Sequence, residues 1–184
     1  MTGDGSRDAG SGSGSSLGSG PSPAATSPAP AGLMQLWIDA DACPKAIKEF
    51  LFKAAVRLQA PLVLVANSGM FVPRSPLIRL AVVGGAVDEA DRYILAHCVP
   101  GDLVVSADIP LAAALVDKGV VVVDPRGTVY TPANVKEALA TRNLMQDLRE
   151  GGLQQGGPAS FGPNDRARFA NAFDREVTRL RRAR

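Results

Sequence analysis

A single histidine, His97, in a chain of 184 residues leaves little room for chemistry built on imidazole. It excludes a cluster of histidine ligands and any relay that needs two imidazoles. Cysteine is almost as scarce. Cys43 and Cys98 lack the spacing of a structural zinc site or a disulfide framework, so both are expected as reduced thiols. No apolar run approaches the roughly 20 residues needed to span a bilayer. The first residues also lack a basic start followed by an apolar stretch, so neither a membrane anchor nor a secretory signal is expected and the cytoplasm is the expected compartment.

Apolar residues are nearly missing from residues 1–33 as well, which are dominated by Gly, Ser, Pro, Ala and Thr. Such a segment has too little to bury to offset the entropy of ordering it, and it reads as a disordered tail. Residues 34–184 then suffice for one core of ordinary size and read as a single domain. Its charge is uneven. Residues 34–150 carry 12 Lys and Arg against 13 Asp and Glu, whereas residues 151–184 carry 7 Arg against 3 acids. A basic C-terminal helix of that kind is either a solvated face or a phosphate-binding one.

What is present is a regular alternation of patterns. Apolar runs of strand length occur at 34–38, 62–66, 80–83, 103–107 and 120–123. Most lack polar alternation, as in strands covered on both faces. Ile47, Phe50, Leu51, Ala54, Ala55 and Leu58 follow helical spacing, as do Val87, Ala90, Ile94, Leu95 and Cys98. A third helix is predicted over 109–118. The order predicts an α/β fold: a mostly parallel sheet of about five strands with helices on both faces. Two C-terminal helices, 132–149 and 165–183, follow, joined by the glycine-rich GGLQQGGPASFGPN, read as mobile.

Ligands of an open parallel sheet bind outside the carboxyl ends of its strands. Asp39 and Asp41 follow the first strand, Asp108 the fourth and Asp124 the fifth. Asp91 falls inside the apolar stripe of its helix, where an unpaired carboxylate is costly, and Asp88 lies one turn earlier at the margin. Each has a purely structural reading. Asp41 and Asp108 could cap helices, with Pro44 and Pro110 in the first turns, and Asp124 could start a turn before Pro125. Arg126 beside the acidic edge could hold a phosphate or pair with an acid.

Clustered carboxylates repel unless protons or cations neutralise them. Mg²⁺ or Mn²⁺ takes oxygen ligands, is commonly held by one or two carboxylates, and lets phosphate or water complete its shell. Cys43, in the first turn of the first helix, sits where the helix dipole lowers a thiol's pKa, but with no basic residue or second cysteine beside it in sequence a reactive thiol is the lesser reading.

Several motifs carry a resemblance. IDADACP at 38–44, VANS at 65–68, VDEADRYI at 87–94, SADIPLA at 106–112, DPRG at 124–127 and RNLMQDLR at 142–149 resemble the YaiI/YqxD family of uncharacterised bacterial proteins. A more distant likeness is to PIN-domain nucleases, which cut RNA with Mg²⁺ or Mn²⁺. It implies a PIN-like fold, Asp39, Asp91 and Asp108 as catalytic metal ligands, and Asp41 and Asp88 as auxiliaries. DADAC is also similar to the DxDx(T/V) motif of haloacid-dehalogenase phosphatases. That likeness implies Asp39 as nucleophile, Asp41 as acid and Ser106 as a phosphate-binding hydroxyl, with Lys45 or Lys48 supplying the positive charge. A third alternative is an RNA-binding protein without catalysis, using Arg74, Arg79 and the C-terminal arginines; no aromatics interleave with the latter. Phe161, Phe169 and Phe173 are expected to dock the last helix.

Overall fold

A computed structural model of the chain describes residues 34–151 and 160–183. The predicted tail, most of the glycine-rich linker and Arg184 lie outside the described residues. The apolar runs form β1 (Leu36–Asp39), β2 (Leu62–Ala66), β3 (Ile78–Val82), β4 (Leu103–Val105) and β5 (Val121–Val123). A sixth strand, β6 (Val129–Tyr130), was not expected; it is two residues long and gives no periodic signal. Helices α1 (Lys45–Leu58), α2 (Glu89–His97) and α3 (Ile109–Asp117) separate the strands, and α4 (Val135–Glu150) and α5 (Pro163–Arg182) follow them.

The strands form one sheet in the order β3-β2-β1-β4-β5-β6. All neighbours are parallel except β5 and β6. Side chains alternate between two cores, the consequence of a twofold repeat in strands covered on both faces. Leu36, Ile38, Leu62, Leu64, Leu103 and Val105 point into one, which α1 closes with Ile47 and Leu51 and α5 with Phe169 and Phe173. Trp37, Val63, Val65, Val104 and Val122 point into the other, closed by Ile94 of α2, Leu111 and Leu115 of α3, and Val135 of α4. Helices on both faces therefore follow from apolar runs without polar alternation.

The phenylalanines of α5 dock as expected. Phe50 of α1 meets the rings of Phe169 and Phe173 edge-on, each at 5.5 Å, and Phe161 packs against the same core. The DPRG turn fixes α5 from the sheet side. Gly127 has φ +91°, and a Cβ there would fall 2.6 Å from the carbonyl carbon of Arg168, so only glycine admits this approach. No helix among the described residues is long and apolar enough to cross a membrane.

Candidate functional site

The strand order decides where the acids meet. From β1 the chain runs outward through β2 to β3, and then returns to place β4 on the other side of β1. The gap beyond β1 and β4 is the topological switch point of this sheet, where open α/β folds bind ligands. Asp39 is the last residue of β1, Ser106 and Asp108 follow β4, and Asp88 and Asp91 lie at the start of α2. Together with Asp41 these aspartates line one cavity of about 330 Å³.

Asp39 is buried, at 7% exposure. It accepts a hydrogen bond from the Ala42 backbone and a long one, 3.4 Å, from the Ser106 hydroxyl. Ser106 in turn accepts from the Asp108 backbone N–H at 3.0 Å, which ties the ends of β1 and β4 together. Asp41 is exposed and accepts from the Asn67 N–H at 2.7 Å, joining the end of β2 to the same rim. Asp88 takes left-handed backbone angles, φ 59° and ψ 17°, at the entrance to α2. Such a conformation in a residue other than glycine costs on the order of 1 kcal/mol and concentrates at functional sites.

The carboxylates feel one another. Burial, and then the charges of Asp41 and Asp108, push the Asp39 carboxyl above its ordinary value, although the Ala42 and Ser106 hydrogen bonds oppose this. Asp91, half-buried, is pushed up to about 6 by desolvation and by Asp108, Asp39 and Asp88. A consequence is testable in metal-free protein. Between the ordinary value of 3.8 and about 6, the folded state binds the proton more tightly than the unfolded chain. Stability therefore falls as pH rises through this window, and the full penalty is present above it. Asp91→Asn is expected to raise stability by about 1–2 kcal/mol at pH 8, after discounting the shift for solvent screening. Below pH 4 the gain should vanish. Urea denaturation in chelator at both pH values checks this, and an equal gain at both would refute the charge origin.

Several structural readings also hold. Asp108 caps α3, accepting from the Leu111 N–H at 2.7 Å, with Pro110 in the first turn. Asp124 organises its turn, accepting from the Arg126 N–H at 2.6 Å. Asp41 does not cap α1, which begins after Pro44 without a side-chain cap.

Other expectations are corrected. Val87 and Asp88 precede α2 instead of sharing its stripe, and Val87 is 81% exposed. Asp124 and Arg126 do not line the cavity; the Arg126 guanidinium reaches across to Asp165 of α5 at 3.1 Å, with Arg168 on the other oxygen. Arg74 lines a separate groove beside α1. Cys43 lies before α1 and is buried, and desolvation pushes its thiol up to about 12, the opposite of activation.

The phosphatase arrangement is met in part: the Ser106 hydroxyl is buried and bonded to Asp39, out of reach of a phosphate, whereas the Lys48 ammonium lies beside the acids, on the Ala40 carbonyl at 2.9 Å. Arg175 and Arg179 on α5 pair with Glu176, and Arg57 of α1 pairs with Asp174.

Two polar lining residues were not singled out from the sequence. Asn67 follows the carboxyl end of β2 and was accessible to the same strand-end rule; Glu89, the first residue of α2, carried no distinguishing signal. The donors are all hard oxygen ligands, which suit Mg²⁺ or Mn²⁺ in type. Their spacing is wider than a protein cage requires: among the described residues no group of three or more His, Cys, Asp or Glu is placed to hold one ion. What this set fits is an ion held by one or two carboxylates with water or phosphate in the remaining positions.

Comparison with known proteins gives relatives across almost the whole described region. The chain is 54% identical over 147 residues to a UPF0178 protein of Geobacter metallireducens, covering 80% of this chain and 95% of the relative. It is 51% identical to one of Maridesulfovibrio salexigens over 79% of this chain and 97% of the relative. With one of Myxococcus xanthus it shares 50% identity over 80% and 96%. No solved structure gives a significant match. Residues 37–179 match the family described as "Uncharacterized BCR, YaiI/YqxD family", a span that contains every carboxylate of the cavity, and the chain belongs to that family.

Proposed function

We propose that the acidic cavity is a metal-dependent phosphodiesterase site that cleaves RNA. One observation carries this reading. The cavity is lined by Asp39, Asp41, Asp88, Asp91, Asp108 and Glu89, and no Lys, Arg or His is among its described lining residues. Such a pocket repels a phosphate unless cations enter with it, and a catalytic use of it therefore calls for divalent ions. Bound Mg²⁺ or Mn²⁺ would supply charge neutralisation at the phosphate and activation of a water.

The protein's own groups then divide the work. Asp39 at the end of β1 and Asp91 in the first turn of α2, both raised by burial, are the inner pair. Ser106 and the Ala42 N–H fix the orientation of Asp39. Asp41 and Asp88 at the exposed rim, and Asp108 at the start of α3, extend the negative field over the approach. The order of these acids along the chain is the feature shared with PIN-domain nucleases, and it favours RNA over a small phosphate ester.

The test is cleavage of labelled single-stranded RNA by the full chain with Mn²⁺, with Mg²⁺ or with chelator. Cleavage is expected with either metal and lost in chelator. Cleavage that persists in chelator, or no cleavage with any metal, would remove the reading.

A further inference from the structure

A groove of about 1150 Å³, more than three times the volume of the acidic cavity, runs between α1 and the segment that joins β2 to β3. Phe52, Val56, Met70, Phe71, Pro73 and Ile78 give it an apolar lining. Two of these are unusually open for their type: Phe71 is 86% and Val56 50% exposed. Exposed apolar surface of this kind marks a binding face more often than chance.

The charge on the groove is opposite to that of the cavity. Lys45, Lys48, Lys53, Arg57 and Arg74 line it against one acid, Glu49. Lys45 faces Glu49 at 3.9 Å, and Arg57 pairs with Asp174. Lys48, Lys53 and Arg74 make no ion pair among the described residues. The two sites also adjoin. The Lys48 ammonium donates to the Ala40 carbonyl at 2.9 Å, between Asp39 and Asp41. Asn67, which lines the cavity, is three residues from Met70, which lines the groove.

We propose that this groove binds single-stranded RNA and leads it into the acidic cavity, with the Phe71 ring stacking on a base and Lys48, Lys53 and Arg74 contacting the backbone. A cationic channel with an open aromatic face is the general solution for holding single strands without sequence preference. The charge argument selects this occupant, because an apolar protein segment would leave the row of cations without partners. An uncharged edge could not draw a polyanion toward six acids, whereas a cationic groove beside them offsets that repulsion. This inference rests on the RNA-cleavage reading for its direction but concerns binding, and it can be tested without turnover.

The probe is a fluorescein-labelled oligouridine of about 12 nucleotides, within the usual site size, titrated by anisotropy with the full chain in chelator. Binding is expected to weaken as salt rises. Phe71→Ala is expected to weaken it by about tenfold. Lys53→Glu combined with Arg74→Glu should weaken it further at low salt and flatten the salt dependence. All three side chains are on the surface, and unchanged circular dichroism would show that the variants fold. Affinity equal to wild type in both variants, a preference for duplex RNA, or binding to anionic phospholipid vesicles without binding to the oligonucleotide would each overturn the proposal. The two readings separate cleanly. Normal cleavage with unaltered binding by the variants would remove the groove and leave the nuclease, while groove-dependent binding without cleavage would do the reverse.

Discussion

Asp39→Asn is expected to lower metal-dependent RNA cleavage by about 10²–10³-fold, or roughly 3–4 kcal/mol of transition-state stabilisation. The substitution keeps the shape and one accepting oxygen, which can still take the Ser106 hydroxyl that joins the ends of β1 and β4. What it removes is the charge at the most buried point of the cavity, where a cation's field is least screened by water. Stability should move the other way. Burial and the neighbouring charges of Asp41 and Asp108 hold the Asp39 carboxyl above its ordinary value, so its ionised form is a burden on the fold at neutral pH. A variant that is at least as stable as wild type but inactive would mark a functional carboxylate. Full activity in a folded Asp39→Asn protein would exclude Asp39 from the chemistry. Initial rates with Mn²⁺, together with urea denaturation in chelator, separate these outcomes.

The second large effect belongs to an acid that no sequence motif singled out. Asp102→Ala is expected to destabilise the fold by about 3–5 kcal/mol, because it strands several buried donors at once. Asp102 is 3% exposed and immediately precedes β4. It accepts from the Gln35 N–H and the Trp37 indole N–H, both at 3.1 Å, and from the Val99 N–H at 3.2 Å. The carboxylate thus joins the entry of β1 to the turn before β4, as Asp39 and Ser106 join their exits. Asp102→Asn, which keeps an accepting oxygen, should cost less, about 1–2 kcal/mol. Urea denaturation of both variants checks the order. An alanine variant as stable as wild type would mean that water replaces the lost acceptor. Because Asp102 is at the opposite end of the strands from the cavity, any loss of activity should track the unfolded fraction.

Asp39 and Asp102 illustrate how much was legible in the chain. Both adjoin apolar runs of strand length, one closing β1 and the other preceding β4. The rule that ligands gather at the carboxyl ends of parallel strands picks out Asp39, whereas nothing local marks Asp102. It also placed Asp41 and Asp108 at the edge they occupy, and the apolar stripe of α2 put Asp91 among them. It set Asp124 and Arg126 at the same edge but not the partner of Arg126. They sit at the end of β5, one strand removed from the switch point, where α5 covers the edge and Asp165 takes up the guanidinium. Pairing across 39 residues leaves no trace in local spacing. For the same reason the surface that Arg74 lines was not legible: its charge is local, but the direction in which the segment from β2 to β3 runs is not.

The sequence by itself determined the element types, the parallel character of the sheet, the two buried faces and the set of acids at strand and helix ends. These depend on periodicity and on which side chains water rejects, both of which are local properties of the chain. Tertiary structure alone decided the strand order β3-β2-β1-β4-β5-β6, and with it the convergence of Asp39, Asp88, Asp91 and Asp108 on one cavity beside a basic groove. Strand order is set by which apolar faces pack together across long stretches of sequence, and that packing is a property of the whole core.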